Sequence, residues 1–258
     1  MKNMTLICGP CVIEDEYLFY KTAEEIIEIV SEYENIDFYF KASCVKDNRT
    51  NNENYIGVGF DRGIEMLLNV QSRFNVNITT DFHTETQIKE YGSNVDLIQI
   101  PAFLSMQSSL INEVVKLTKP VHLKKPQFLS PGNIHKPVSK IKDQNPNIQV
   151  MMTDRGTMFG YDSVMFDPRH IRKMKETYKA DKVLIDITHP QNHSKVYDRT
   201  YARDLGMAAL ACDVDGLFIE SHVVPEQALC DADSQLRTMQ LKMYLKSFIE
   251  LYRFINDR

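Results

Sequence analysis

A (β/α)8 TIM barrel, eight parallel strands wrapped by helices, is the fold this sequence predicts. Three observations predict it. Eight short apolar runs recur along the chain, amphipathic stretches separate them, and nearly every run ends in charged or hydrogen-bonding residues. Short apolar runs read as strands buried on both faces, the habit of parallel sheets. Polar groups gathered at the C-terminal ends of eight such strands are what a barrel enzyme requires, because the loops at that end build its active site.

The first run, Thr5-Leu6-Ile7, leads into Cys8 and Cys11. A helix follows over 15–33, with Leu18, Phe19, Ala23, Ile26, Ile27 and Val30 at three-to-four spacing and Glu24, Glu25 and Glu28 opposite. Phe38-Tyr39-Phe40 runs into Lys41-Ala42-Ser43, with a helix over 61–74. Asn77-Ile78-Thr79-Thr80 runs into Asp81, with a helix over 84–91, and Asp96-Leu97-Ile98 runs into Gln99, with a helix over 106–117. Pro120-Val121-His122-Leu123 leads to Lys124-Lys125 and a helix over 133–144; Val150-Met151-Met152-Thr153 leads to Asp154-Arg155 and a helix over 168–178. Lys182-Val183-Leu184-Ile185 leads to Asp186 and His189, with a helix over 201–212. Gly216-Leu217-Phe218-Ile219 leads to Glu220, and the last helix, 235–256, carries Leu241, Tyr244, Leu245, Phe248, Leu251 and Ile255 on one face. The long irregular segments, 43–60, 125–137, 155–167 and 190–200, each follow a strand, where substrate loops and lids sit in a barrel.

At 258 residues the chain is near the length of one such barrel, so a single catalytic domain over 1–258 is expected. A formal net charge of -5 argues against nucleic acid as the partner, and no basic run suggests a membrane surface. No apolar stretch is long enough to span a bilayer, and Met1 to Leu6 lead straight into strand-like sequence without a signal peptide. Five cysteines fit a reducing cytoplasm better than a disulfide framework.

Cys8-Gly9-Pro10-Cys11 also has the look of a thioredoxin redox centre. Such domains are far shorter and usually carry Trp before the first Cys, whereas this chain has no Trp and Ile7 stands there. The other reading makes Cys11 a metal ligand with His189, Glu220 and Asp231, each at or just after a strand end. A thiolate, an imidazole and two carboxylates suit a divalent transition metal, Zn, Fe, Mn or Co. Lys41, Lys46, Lys124 and Arg155 likewise fall at or close to strand ends. One of them could be neutralised by Asp81 or Asp186; several converging on one mouth imply an anionic ligand with more than one charged group. Arg49, in Asn48-Arg49-Thr50, could hold a second phosphate at the rim. His83, His122, His135, His170 and His193 read as structural or solvated, and His222 as a neighbour of the metal ligands.

At these residues the sequence resembles the 3-deoxy-D-manno-octulosonate 8-phosphate synthases, within the superfamily that holds the 3-deoxy-arabino-heptulosonate 7-phosphate synthases. The resemblance runs in order along essentially the whole chain. It is carried by Gly9-Pro10-Cys11-Val12-Ile13-Glu14, Lys41-Ala42-Ser43, Lys46-Asp47-Asn48-Arg49 and Gln99-Ile100-Pro101-Ala102-Phe103-Leu104. Lys124-Lys125-Pro126-Gln127-Phe128, Ser130-Pro131-Gly132, Asp154-Arg155-Gly156, Phe159-Gly160-Tyr161, Asp186-Ile187-Thr188-His189 and Phe218-Ile219-Glu220 complete it. The Asn-Arg-Thr after Asp47 resembles the octulosonate branch.

The resemblance implies a transferase that condenses phosphoenolpyruvate with an aldose phosphate, D-arabinose 5-phosphate in the family, in octulosonate and lipopolysaccharide biosynthesis. Erythrose 4-phosphate as acceptor, or a barrel that binds phosphate or metal without turnover, are the alternatives. It implies that Lys46, Lys124, Arg155, Gln99 and Ser43, with backbone around Ala102, hold phosphoenolpyruvate, and that Lys41 and Gln127 also bind substrate. Arg49 and Thr50 would take the sugar phosphate, and Asn48, Asp81 and Phe103 the sugar chain. Lys46, His189, Asp231 and Cys11 would serve catalysis; Cys11, where some members have Asn, implies the metal-dependent class, and the family implies a homotetramer. Several positions depart from the pattern. The segment from Pro190 to Thr200 is shorter than the family's lid, and Asp231 is followed by Ala232 and a rival, Asp233, instead of Gly-Pro. Thr50, Val58, Cys44 and Cys8 replace Ser, Pro, Phe and Ala.

Overall fold

Each apolar run forms a strand. The computed structural model describes residues 2–47, 53–158, 164–177, 180–193 and 196–257. Strands β1 (Met4–Gly9), β2 (Ile36–Lys41), β3 (Asn77–Asp81), β4 (Leu97–Ile100), β5 (Val121–Lys124), β6 (Val150–Asp154), β7 (Lys182–Asp186) and β8 (Gly216–His222) pair in parallel in chain order. β8 then pairs with β1, from Thr5 opposite Gly216 to Gly9 opposite Glu220, and closes the ring. A Cβ on Gly216 would stand 2.0 Å from the Thr5 carbonyl oxygen, so this seam closes because a glycine lies there.

The intervening segments form α1 (Glu16–Ser31), α2 (Phe60–Phe74), α3 (Glu85–Tyr91), α4 (Ser108–Leu117), α5 (His135–Lys142), α6 (Arg169–Thr177), α7 (Tyr201–Ala211) and α8 (Thr238–Asn256). Local chemistry sets their ends. The Asp15 carboxylate accepts the Leu18 N–H at 2.9 Å and caps α1. Thr84 and Gln87 form a reciprocal capping box on α3, and Asn75, at φ 53°, ends α2 in the left-handed conformation asparagine tolerates. α5 is shorter than its periodicity predicts, because Pro131–Asn133 forms a separate 3-10 turn before it. Past β7, His189–Gln191 makes a 3-10 turn, and Asn192–His193 pairs antiparallel with Val196–Tyr197. Leu236–Arg237 adds a short parallel strand beside the end of β8.

Two apolar layers hold the barrel together. The larger lies between the sheet and the helices and takes, among others, Leu6, Phe40, Ile98, Leu123, Met152, Ile185 and Ile219 from the strands. The smaller fills the barrel interior with Ile7, Leu97, Met151, Leu184 and Phe218, against Tyr39. Because side chains alternate along a strand, the residues two positions on point inward one layer nearer the C-terminal mouth. Those residues are Lys41, Gln99, Thr153, Asp186 and Glu220, all buried. Among the described residues, no helix is long and apolar enough to cross a membrane.

Candidate active site

The alternation that packs the barrel interior therefore also builds its polar ceiling. Above it opens a cleft of ≈ 180 Å³ lined by Lys41, Lys46, Asp47, Asp81, His83, Gln99, Pro101, Ala102, Phe103, Lys124, Arg155, His189, Phe218, Glu220 and Asp231. Eleven of these fifteen were singled out from the sequence as site residues; Asp47, Pro101 and Phe218 stand in the family blocks, and His83 stands in neither group. Ser43 and Gln127 are buried close by without lining the cleft. Asn48, Arg49 and Thr50, with the Phe159-Gly160-Tyr161 block, lie outside the described residues.

The cations divide into two kinds. Lys41 and Lys124 are anchored from below: Lys41 Nζ donates to Glu220 at 3.0 Å and to the Cys11 carbonyl at 2.8 Å. Lys124 Nζ donates to Asp186 at 2.7 Å and sits 2.9 Å from the centre of the Phe218 ring. Burial pushes the Lys124 ammonium down to about 8, although Asp186 opposes the shift. Lys46 and Arg155 make no ion pair with any described residue, which leaves their charge for a ligand. Burial alone would lower the Lys46 pKa, but Cys11, Asp81 and Glu220 around it hold it well above the ordinary value.

Gln99 is oriented from beneath. His122 Nδ1 lies 3.1 Å from Gln99 Oε1, and its Nε2 lies 2.6 Å from Thr153 Oγ1. Burial and the neighbouring Lys124 charge hold His122 well below its ordinary pKa, so the ring is neutral and donates one N–H only. Lys125, fully buried, ties the loop after β5 to the loop after β6 through the carbonyls of Pro126 and Gly156 and an ion pair to Asp154 at 3.3 Å.

The anionic wall faces these cations. Asp81 lies beside His83, Oδ2 to Nε2 at 3.4 Å. Burial would raise the Asp81 pKa, yet Lys46 and His83 outweigh that and keep its carboxyl ionised below the usual range. Burial opposes ionisation of Asp186 too, and is overcome by His189, whose Nδ1 stands 2.8 Å from Oδ2, and by Lys124. Glu220 follows the same pattern, burial countered by Lys41, Lys46 and His189. Its Oε2 is buried with no hydrogen-bond partner among the described residues.

Ring closure explains the donor cluster. Since β8 lies beside β1, the loop after β8 meets the loop after β1, and residues distant in sequence become neighbours. Cys11 Sγ lies 3.0 Å from Asp231 Oδ2, and Asp231 holds a left-handed backbone, φ 49°. His189, Glu220 and Asp231 offer donor atoms all within 4.8 Å of one another; so do Cys11, Cys230 and Asp231. The four residues picked from the sequence thus meet through Asp231, and Asp233 joins neither triplet. A mixed thiol, imidazole and carboxylate set with an unpaired buried carboxylate oxygen suits a divalent cation. Cys8 packs instead in the outer core, apart from the small cluster of Cys11, Val12 and Cys230, so the two halves of the redox-like motif face different surroundings.

Against the sequence reading, one residue changes role and one is new. His83 lines the cleft instead of serving a purely structural role, and its placement two residues past Asp81 was the available signal. Cys230, directly before Asp231, touches Cys11. His222 accepts the Val224 N–H on its Nδ1 at 3.0 Å and is engaged there by the local turn.

Comparison with known proteins finds relatives along the whole chain. The family model described as "DAHP synthetase I family" matches residues 2–256. A "2-dehydro-3-deoxyphosphooctonate aldolase" from Francisella tularensis subsp. holarctica is 36% identical over 263 residues, covering 100% of this chain and 94% of that protein. A protein of the same name from Legionella pneumophila is 38% identical over 252 residues, covering 95% of this chain and 90% of the relative. With a matched model and relatives that span nearly its whole length, the chain belongs to the DAHP synthetase I family.

Proposed function

We propose that this enzyme condenses phosphoenolpyruvate with an aldose phosphate, D-arabinose 5-phosphate, to give 3-deoxy-D-manno-octulosonate 8-phosphate and inorganic phosphate. The observation that carries the reading is the cation set: Lys46, Lys124 and Arg155 with Gln99 around one cleft, two of those charges unpaired among the described residues. A small ligand bearing both carboxylate and phosphate is what such a set neutralises. The names of the full-length relatives support the same reading.

The chemistry follows from the arrangement. Lys46, Lys124 and Arg155 hold the anionic groups of phosphoenolpyruvate, and the neutral Gln99 amide, steadied by His122, fixes its orientation. The aldose lies over it against Asp81, His83 and the exposed Phe103, and the family resemblance assigns its phosphate to Arg49 and Thr50. The methylene carbon attacks the aldehyde and forms the carbon–carbon bond; water adds at the adjacent carbon, and the carbon–oxygen bond to phosphate then breaks. Charge that builds on oxygen during these steps is met by cations already in place, with little solvent to rearrange.

Cys11, His189, Glu220 and Asp231 would hold a divalent metal ion, Zn, Fe, Mn or Co. Held there, it supplies positive charge to oxygen at the reacting carbons. The family resemblance further supports a cytoplasmic homotetramer.

Phosphate release from phosphoenolpyruvate tests the proposal, measured with arabinose 5-phosphate and with erythrose 4-phosphate, with and without chelator. Release with the pentose alone, abolished by chelator and restored by divalent metal, is the expected result. Release with erythrose 4-phosphate alone would move the acceptor to the tetrose, and no release with either sugar would overturn the condensation.

A further inference from the structure

Cys230 lies where the reading above gives it no task. Its thiol is buried, 2.7 Å from Cys11 Sγ and 3.4 Å from Asp231 Oδ2. The juxtaposition is built. Gln235, itself fully buried, accepts the Cys11 N–H on Oε1 at 3.0 Å and donates from Nε2 to the Cys230 carbonyl at 2.9 Å. One amide therefore clamps the backbones of two cysteines separated by almost the whole chain. Both sulfurs point into the same small space, bounded by Val12 and Tyr55.

Donor atoms around one tetrahedral ion with metal–sulfur bonds of about 2.3 Å stand about 3.8 Å apart. The thiols of Cys11 and Cys230 stand 3.0 and 3.4 Å from Asp231 Oδ2, and their own 2.7 Å contact would open by about 1 Å for both to share an ion. Cys230 thus belongs with Cys11 and Asp231 to one set of donor atoms, all within 4.8 Å of one another. We propose that Cys230 is itself a metal ligand, so that the site ends in a pair of thiolates, Cys11 and Cys230, bridged through Asp231 to Glu220 and His189.

The pairing sets the ion. Thiolates favour zinc and ferrous iron, whereas manganese prefers oxygen donors, so a second thiolate shifts selection toward the softer ions. This rests on the metal reading of the Cys11 site and narrows it.

The test is metal K-edge X-ray absorption on the full-length protein, reduced with a phosphine and loaded with one equivalent of zinc. Two sulfur scatterers near about 2.3 Å in the wild type, falling to one in Cys230→Ser, are expected. Zinc affinity of that variant should drop at least about 10-fold relative to manganese affinity. A single sulfur in the wild type would overturn the role of Cys230 while leaving the Cys11 site standing. Failure of the wild type to retain zinc or iron, with full phosphate release in chelator, would instead remove the metal reading itself. The wild-type sulfur count does not depend on whether the variant folds.

Discussion

Asp186 reaches Lys124 at 2.7 Å from a position with no solvent exposure, and the same carboxylate oxygen meets His189 Nδ1 at 2.8 Å. One buried anion therefore steadies a cation of the proposed phosphoenolpyruvate site and a donor of the proposed metal site. Asp186→Asn removes that charge and leaves Lys124 unpaired. Breaking a buried pair from one side costs about 3–5 kcal/mol, so urea unfolding should show a loss of that order.

Lys124 predicts a pH limit. Burial places its folded-state pKa at about 8, below the ordinary 10.5, so the ammonium is present below that pH and lost above it. Phosphoenolpyruvate binding should weaken about tenfold per pH unit well above the apparent pKa of the complex. Because Asp186 raises this pKa, Asp186→Asn should move the alkaline limb to lower pH; a limb that stays put would separate it from Lys124. For the free protein the sign runs the other way: between about 8 and 10.5 the unfolded chain binds more protons at this residue, so its contribution to stability rises with pH.

The unpaired cations should matter most for turnover. Lys46→Met and Arg155→Gln each remove a charge that no described residue consumes, and each should lower kcat/KM by about 10²-fold or more. Steady-state kinetics with phosphoenolpyruvate varied is the measurement.

His83 should act on the acceptor. It lines the cleft beside Asp81, where the proposed function puts the aldose, so His83→Ala should raise KM for the aldose phosphate about tenfold and leave that for phosphoenolpyruvate within about twofold. An equal rise in both would place His83 elsewhere in the chemistry.

Phe218 carries the barrel interior and lies under both Lys41 and Lys124, with their ammonium groups 5.7 and 2.9 Å from its ring centre. Phe218→Ala should cost about 3–5 kcal/mol in a chemical melt, through the cavity it leaves between Ile7, Leu97, Met151 and Leu184.

The barrel and much of its mouth were legible in the chain because both arise from local pattern. A strand buried on two faces must be apolar along its length, so Leu97-Ile98 or Val183-Leu184-Ile185 announces itself, and a helix on its outer face shows a three-to-four stripe. The residue that ends such a strand is polar when it faces the mouth, as with Lys41, Gln99, Asp186 and Glu220. Tertiary structure alone decided who meets whom across the ring. Cys11 and Cys230 carry no common local pattern; they meet because β8 pairs with β1 and Gln235 clamps the two loops. The sequence likewise offered Lys41 and Lys124 as equals of Lys46 and Arg155, whereas packing commits the first two to Glu220 and Asp186. Period and polarity belong to single strands and are written residue by residue; pairing and charge balance belong to contacts between strands and exist only once the ring has closed.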